Sequence, residues 1–196
     1  MKIFIRAAYA TAGSGETATP ALPLSRAASR PHNASLPPEA PLPAAKVLAD
    51  LSACVHEGAD TQTLGMCAVK AIHEALPKAG WAGIYWLKGD ELHLGPYIGP
   101  PTDHVRIPVG TGVCGTAVAE DKDQIVADVR TRENYLACTA ATRSEIVVLI
   151  RSGGKVLGQI DLDSDQVNAF TADDHGFLRM VAGALGSLLP LASDAK

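Results

Sequence analysis

Apolar residues recur at helical spacing in two consecutive stretches of the chain, residues 47–55 and residues 64–76. Positions three and four apart share one face of a helix, so each stretch predicts an amphipathic helix, and Gly58 falls at the break between them. Cys54 and Cys67 lie on the two apolar faces, where a cysteine usually acts as a small apolar side chain. We therefore predict that both cysteines are core residues.

Beyond these helices, short runs of strand-forming residues alternate with turn sequences. Two hairpins are predicted, over residues 81–97 and residues 145–162, because glycine-containing turns interrupt each region. Short strands are predicted at residues 105–108 and 124–126. Strands joined by short turns form antiparallel sheets.

A last helix is predicted over residues 172–189, with Thr171 as its N-cap and Asp174 as the capping-box partner. The terminal helices can cover one face of the predicted sheet. The order of elements therefore predicts an α+β fold, with an antiparallel sheet flanked by helices.

The first 43 residues show neither the helical spacing of apolar residues nor the alternation that is typical of strands. They hold seven of the 13 prolines, and the proline-rich run at residues 37–43 is incompatible with a helix or a central strand. We predict a disordered Pro/Ala-rich extension over residues 1–43, which is either a transit peptide or the result of a start codon assigned too early. Residues 44–196 then form one domain.

Composition and charge narrow the functional classes. Hydrophobic residues make up 47% of the chain, which permits a packed core. Residues 1–43 hold four of the 17 basic and two of the 21 acidic residues, so residues 44–196 carry a formal charge of −6. Such an acidic body is unsuited to phosphate backbones, and no nucleic-acid partner is predicted.

The apolar runs are also informative about location. None approaches the ~20 residues that cross a bilayer, and the N-terminus lacks a secretory core. We predict no membrane association and a cytoplasmic protein, or an organellar one if residues 1–43 are a transit peptide.

Four cysteines, Cys54, Cys67, Cys114 and Cys138, are too few for a disulfide framework. They form no Cys-x-x-Cys pair and lie near no histidine cluster, so no metal site is predicted. Cys138 lies in a long loop over residues 127–144, and loops of this length in a compact domain are usually functional. Its thiol is therefore either a reactive group or a small apolar filler.

Acidic residues gather near the end of the last predicted strand. Asp161 and Asp163 alternate onto one face, and the hairpin can bring Glu145 to the same end of the sheet. Carboxyl groups crowd in this way where they bind a cation or hold a proton. A solvated loop end is the alternative interpretation.

A glycine-rich segment, residues 110–115, precedes a short predicted helix and contains Cys114. Backbone N–H groups at a helix start can bind an anion, although a tight turn is the alternative. The glycine spacing fits neither a dinucleotide fingerprint nor a Walker loop, which favours a small carboxylate over a phosphate. Combined with the acids and with the aromatic Trp81 and Tyr85, the segment indicates a pocket for a free amino acid beside a thiol.

These residues lie in strings that resemble the free methionine-(R)-sulfoxide reductases, a family of GAF-domain enzymes. The resemblance extends from about residue 45 to residue 190. Its most informative strings are Trp81-Ala82-Gly83-Ile84-Tyr85, Gly112-Val113-Cys114-Gly115, Ala137-Cys138-Thr139, Ser144-Glu145-Ile146 and Asp161-Leu162-Asp163-Ser164. The cysteine loop, the Ser-Glu-Ile string and the Asp-x-Asp-Ser string together are specific to this family.

The resemblance implies a GAF-type fold and the reduction of free L-methionine (R)-S-oxide to L-methionine. It implies that Cys138 is the catalytic cysteine and Cys114 a second cysteine of the site. The substrate-binding residues that it implies are Glu145, Asp161, Asp163, Trp81 and Tyr85. Many members carry a third, resolving cysteine at the place that His104 occupies here, or Asp103 if the alignment shifts by one, so the resolving thiol stays open.

In the implied mechanism, Cys138 attacks the sulfoxide sulfur while a protonated carboxyl of Asp163 or Glu145 donates to the oxygen. The resulting sulfenic acid condenses with Cys114, and thioredoxin or a similar dithiol reduces the disulfide. No bound cofactor is expected. GAF relatives suggest a homodimer through the terminal helices.

Two alternative functions remain. A GAF module could bind a small molecule and signal without catalysis, although no kinase, cyclase or DNA-binding segment accompanies it here. A cysteine hydrolase would need a histidine base, and the local sequences of His104 and His175 mark neither as that base.

Overall fold

The computed structural model describes residues 42–132, 135–136 and 141–191. Residues 1–41 of the predicted disordered extension and Cys138 lie outside these residues. The predicted bound at residue 43 is wrong by two positions, because Leu42 and Pro43 begin the first helix, where the first turn accepts proline. The elements are α1 (Leu42–His56), α2 (Thr61–Ala75), β1 (Trp81–Lys88), β2 (Glu91–Ile98), β3 (Arg106–Pro108), α3 (Gly112–Ala119), β4 (Gln124–Val126), β5 (Ser144–Ser152), β6 (Lys155–Ser164) and α4 (Ala172–Leu188). The predicted α+β class and the predicted order of elements are confirmed.

The six strands form one antiparallel sheet in the order β3-β2-β1-β6-β5-β4. The two predicted hairpins, β1–β2 and β5–β6, lie side by side because β1 pairs with β6. Strand β6, which carries the two aspartates of the Asp-x-Asp string, is therefore enclosed between β1 and β5. No described helix is both long and apolar enough to cross a bilayer.

The sheet separates two apolar clusters. Helices α2 and α4 pack on one face of the sheet, and α1 packs against both of them. The apolar cluster of this layer includes Leu51, Ile72 and Leu178 of the helices and Ile160 of β6. Helix α3 packs on the other face. Because successive residues of a strand point to opposite sides, Ile160 faces the three-helix layer and its neighbours Gln159 and Asp161 face α3.

Local sequence determines where α4 begins. The Thr171 hydroxyl accepts a hydrogen bond from the Asp174 backbone N–H at 3.3 Å, and the Asp174 carboxylate accepts one from the Thr171 N–H at 2.6 Å. This reciprocal pair satisfies backbone donors that have no partner inside the helix. The predicted capping box is confirmed.

Cys54 of α1 and Cys67 of α2 form a disulfide bond, so the prediction that they are separate core residues is wrong. Both side chains are only partly buried, and both line a surface cavity beside the α1–α2 turn. Their pairing depends on how the two helices cross. Apolar spacing along each helix carries no information about that crossing.

Loss of this disulfide is expected to lower the free energy of unfolding by about 3 kcal/mol, because a bond across 13 positions restricts the unfolded chain. The double variant Cys54→Ser/Cys67→Ser is compared with the wild type in denaturant unfolding. A dithiol reductant should lower the wild-type midpoint and leave the variant's midpoint unchanged. Equal midpoints for both oxidised proteins would contradict the expectation.

Candidate active site

The β5–β6 hairpin brings three acidic side chains together on the α3 side of the sheet. Glu145 pairs with Asp163 across the hairpin, and Asp161 lies opposite Val147 in the next row. The exposed fractions of Glu145, Asp161 and Asp163 are 2%, 0% and 2%. The alternative of a solvated loop end is therefore wrong for these carboxyl groups.

Cys114 contacts the acidic cluster from helix α3. Its thiol donates towards Asp161 Oδ2 at 3.3 Å and lies 3.8 Å from Glu145 Oε1. Gly112 begins this helix with φ of +64°, a conformation that glycine adopts without strain, and a Cβ at this position would press on the Leu136 side chain. The side chain of its N-cap residue, Thr111, makes no capping hydrogen bond.

The environment of the acids favours protonation. Burial raises the pKa of Asp161 to about 7, against the opposing effect of the hydrogen bond from Cys114. Burial, followed by the charges of Asp161 and Asp163, raises the pKa of Glu145 well above its ordinary value. Because these groups titrate together, the cluster holds at least one proton near neutral pH. A protonated carboxyl beside a thiol is a suitable general acid.

Aromatic rings form the side of the site next to the acids. The Trp81 ring stacks on Tyr97, with centroids 5.6 Å apart, and is tilted against Tyr85 at 6.2 Å. The ring lies over Gly83, where any Cβ would overlap it. The Tyr85 hydroxyl donates to the carbonyl oxygen of His104 at 2.9 Å, so the tyrosine is anchored to the segment that precedes β3.

Two cavities border this cluster. One is lined by Ile107, Cys114, Leu136 and Glu145, contains about 180 Å³ of empty space and is too narrow for a water molecule. The other contains about 450 Å³ of empty space, is open to solvent and is bordered by Trp81, Asp163 and Thr142 among others. The thiol end of the site is therefore closed in this structure and the aromatic–acidic end is accessible.

The structure thus brings together six of the seven residues predicted from sequence: Cys114, Glu145, Asp161, Asp163, Trp81 and Tyr85. The seventh, Cys138, lies outside the described residues. Sequence reasoning missed Tyr97, Gly83 and Gln159. A period-two signal could have revealed Gln159, because it precedes Asp161 by two positions on the same strand.

The same side chains are also close enough to share a cation. One ligand atom each from Cys114, Glu145 and Asp161 lies within 4.8 Å of the others. A thiolate and two carboxylates are donors that a divalent metal accepts. The contact between the thiol and Asp161 accounts for this spacing without an ion, and the metal-free site stays a prediction.

Comparison with known proteins agrees with this geometry. The GAF domain family matches residues 67–189. "Protein YtsP" of Bacillus subtilis is 42% identical over 120 residues, which are 60% of this chain and 73% of the relative. "Free methionine-R-sulfoxide reductase" of Escherichia coli is 42% identical over 118 residues, which are 60% of this chain and 71% of the relative.

A solved structure extends the comparison to three dimensions. The free methionine-R-sulfoxide reductase of Neisseria meningitidis, in complex with its substrate, superposes with a TM-score of 0.70 at 32% identity. The match covers 76% of this chain and 89% of that one. On this fold, this buried thiol–carboxylate cluster and these relatives, the chain belongs to the GAF-domain family of free methionine-R-sulfoxide reductases.

Proposed function

We propose that this protein reduces free L-methionine (R)-S-oxide to L-methionine. The observation that carries the proposal is the buried contact of the Cys114 thiol with the carboxyl groups of Asp161 and Glu145. A sulfoxide reductase needs thiols as reductant and a proton donor for the departing oxygen, and both are present at one point of the site. The curated relatives of Escherichia coli and yeast carry the name of this activity.

Substrate recognition follows from the charges of the site. The ammonium group of a free amino acid matches Glu145, Asp161 and Asp163, which are buried together. The methyl–sulfur end suits the rings of Trp81 and Tyr85, because polarizable sulfur packs favourably against aromatic rings. The start of α3, which the Thr111 side chain does not cap, points to backbone N–H groups as the binding site of the substrate carboxylate.

The chemistry uses two cysteines. The Cys138 thiolate attacks the sulfoxide sulfur, a carboxyl proton from Glu145 or Asp163 passes to the oxygen, and methionine leaves as Cys138 becomes a sulfenic acid. The raised pKa of Glu145 favours this residue as the donor. Cys114 then condenses with the sulfenic acid, which releases water and forms a disulfide, and an external dithiol supplies the two electrons that restore both thiols.

Thioredoxin is the proposed dithiol, because its exposed thiol pair can attack a protein disulfide once the site opens. Opening is required, since the cavity beside Cys114 is too narrow for a water molecule.

The homodimer through the terminal helices stays a prediction, as does the division into a disordered extension and a domain. A cytoplasmic location also stays a prediction, and the Cys54–Cys67 disulfide weighs against a strongly reducing compartment.

Substrate selectivity tests the proposed function. The purified protein with a dithiol should reduce free methionine-(R)-sulfoxide and leave the (S) epimer unchanged. N-Acetyl-methionine-(R)-sulfoxide should show a kcat/KM at least about tenfold lower, because it lacks the ammonium that the buried carboxylates bind. Methionine release is measured by chromatography. Equal kcat/KM for the free and the acetylated substrate would contradict the proposal.

The two alternatives are less well supported. A signalling module has no use for a thiol buried against two acids of raised pKa. In a cysteine hydrolase, His175 would have to act as the general base that deprotonates the thiol, but its Nε2 pairs with Asp123 Oδ2 at 2.8 Å. Both residues line a separate cavity of about 440 Å³, whose described lining includes none of the acidic cluster.

A further inference from the structure

Gln159 is a buried polar side chain on the same strand as Asp161 and Asp163. It lies on β6 between Tyr85 of β1 and Leu149 of β5, and all of its surface is buried. Both neighbours belong to the apolar cluster beneath α3, so the Gln159 side chain faces the same side of the sheet as Asp161. Two strand residues separate the Cα atoms of Gln159 and Asp161 by about 7 Å.

The amide of Gln159 is unsatisfied. Neither its Nε2 nor its Oε1 has a hydrogen-bond partner among the described residues. Buried side-chain amides are nearly always hydrogen-bonded, since leaving one unpaired costs about 1–3 kcal/mol. The Oδ1 atom of Asp161, one pleat away, is likewise unpaired among these residues. Two adjacent polar groups on this face thus lack a hydrogen-bond partner within the described part of the chain.

The hydrogen-bonding character of Gln159 complements that of the acids. Ionised carboxylates only accept hydrogen bonds, so the ionised members of the acidic cluster bind an ammonium and cannot donate to a substrate oxygen. A protonated member can donate only its single proton. The Nε2 group of Gln159 offers two donors without a charge. A free amino-acid sulfoxide carries acceptor oxygens on its carboxylate and on its sulfur, and either would satisfy this amide.

We propose that Gln159 is a substrate-binding residue whose side-chain N–H groups donate to an oxygen of the bound methionine sulfoxide, either the α-carboxylate or the sulfoxide oxygen. This proposal rests on the proposed function. It adds to the site a neutral hydrogen-bond donor, the Gln159 amide, which lies one pleat along β6 from Asp161 and acts together with the acidic cluster. A bound substrate then removes the energetic cost that the unpaired amide imposes on the free protein.

The test replaces Gln159 with methionine, which has a similar volume and no amide. The variant's kcat/KM for free methionine-(R)-sulfoxide should fall by about three- to tenfold, which is the effect expected when one hydrogen bond to the substrate is lost. Its melting temperature should equal or exceed that of the wild type, because an unpaired buried amide has been removed. Gln159→Leu repeats the measurement if the methionine variant folds poorly.

Ile160→Val is the matched control. It changes the adjacent residue of β6, whose side chain lies on the opposite face in the helical core, and should leave kcat/KM unchanged. The dissociation constant of methionine, measured by calorimetry, shows whether Gln159 donates to the α-carboxylate or to the sulfoxide oxygen, because methionine carries only the former. Weaker methionine binding by Gln159→Met points to the carboxylate, and unchanged binding with a lower kcat/KM points to the sulfoxide oxygen.

An unchanged kcat/KM in Gln159→Met, with equal or higher thermal stability, would overturn the proposal. Gln159 would then be a structural residue whose amide is hydrogen-bonded by water. That result differs from a failure of the proposed function. In the latter case the wild-type protein itself would not reduce free methionine-(R)-sulfoxide.

Discussion

Replacing Cys138 with serine is expected to lower the rate of methionine-(R)-sulfoxide reduction by at least about a thousandfold. A serine hydroxyl is a far weaker nucleophile towards sulfur than a thiolate, and it cannot form the sulfenic acid that carries the oxygen away. Methionine formed per chain is measured by chromatography with dithiothreitol as reductant. Persistent activity would show that another thiol performs the attack.

Cys114→Ser provides the comparison for this experiment. Because Cys114 is assigned to the resolving step, this variant should release about one methionine per chain in a single turnover and fail to cycle with thioredoxin. Normal cycling would mean that the sulfenic acid is reduced directly or by another thiol. Cys54 and Cys67 are poor candidates for that role, since they are bonded to each other on helices that pack on the opposite face of the sheet.

The free energy of unfolding is expected to fall as the pH rises from about 4 to 7. Asp161 has a pKa of about 7 in the folded protein, against an ordinary value of 3.8. Between these values the folded state binds the additional proton, so its stabilising effect is complete at low pH and is lost as the pH approaches 7. The shift corresponds to about 4 kcal/mol, and Glu145 acts in the same direction.

Asp161→Asn tests this linkage, because asparagine is neutral at every pH. Denaturant unfolding at pH 4, 5, 6 and 7 should show a shallower decline for this variant than for the wild type. Asp173→Asn, which removes an exposed carboxyl of α4, should retain the wild-type decline. Identical pH dependence in the wild type and Asp161→Asn would contradict the assigned pKa direction.

Local patterns carried the prediction of secondary structure. The glycine turns at residues 88–90 and 152–154 and the capping box at Thr171 are properties of a few neighbouring residues, and the structure contains each of them. The alternation of Asp161 and Asp163 predicted their common face for the same reason. Pairing of Cys54 with Cys67 was missed, because it depends on the crossing of two helices.

The sequence by itself determined the order of helices and strands, the antiparallel sheet and, through its resemblance to a reductase family, the set of candidate site residues. The helices and strands follow from local sequence patterns, and the candidate site residues lie in short sequence motifs that resemble those of the family. Only the tertiary structure decided that Glu145 and Asp161 are buried and that the Cys114 thiol lies 3.3 Å from Asp161 Oδ2. It also decided that the amide of Gln159 has no hydrogen-bond partner among the residues that the structure describes. Burial and pKa depend on what packs above a strand, and here that is α3, a helix more than 25 residues away from either acid along the chain.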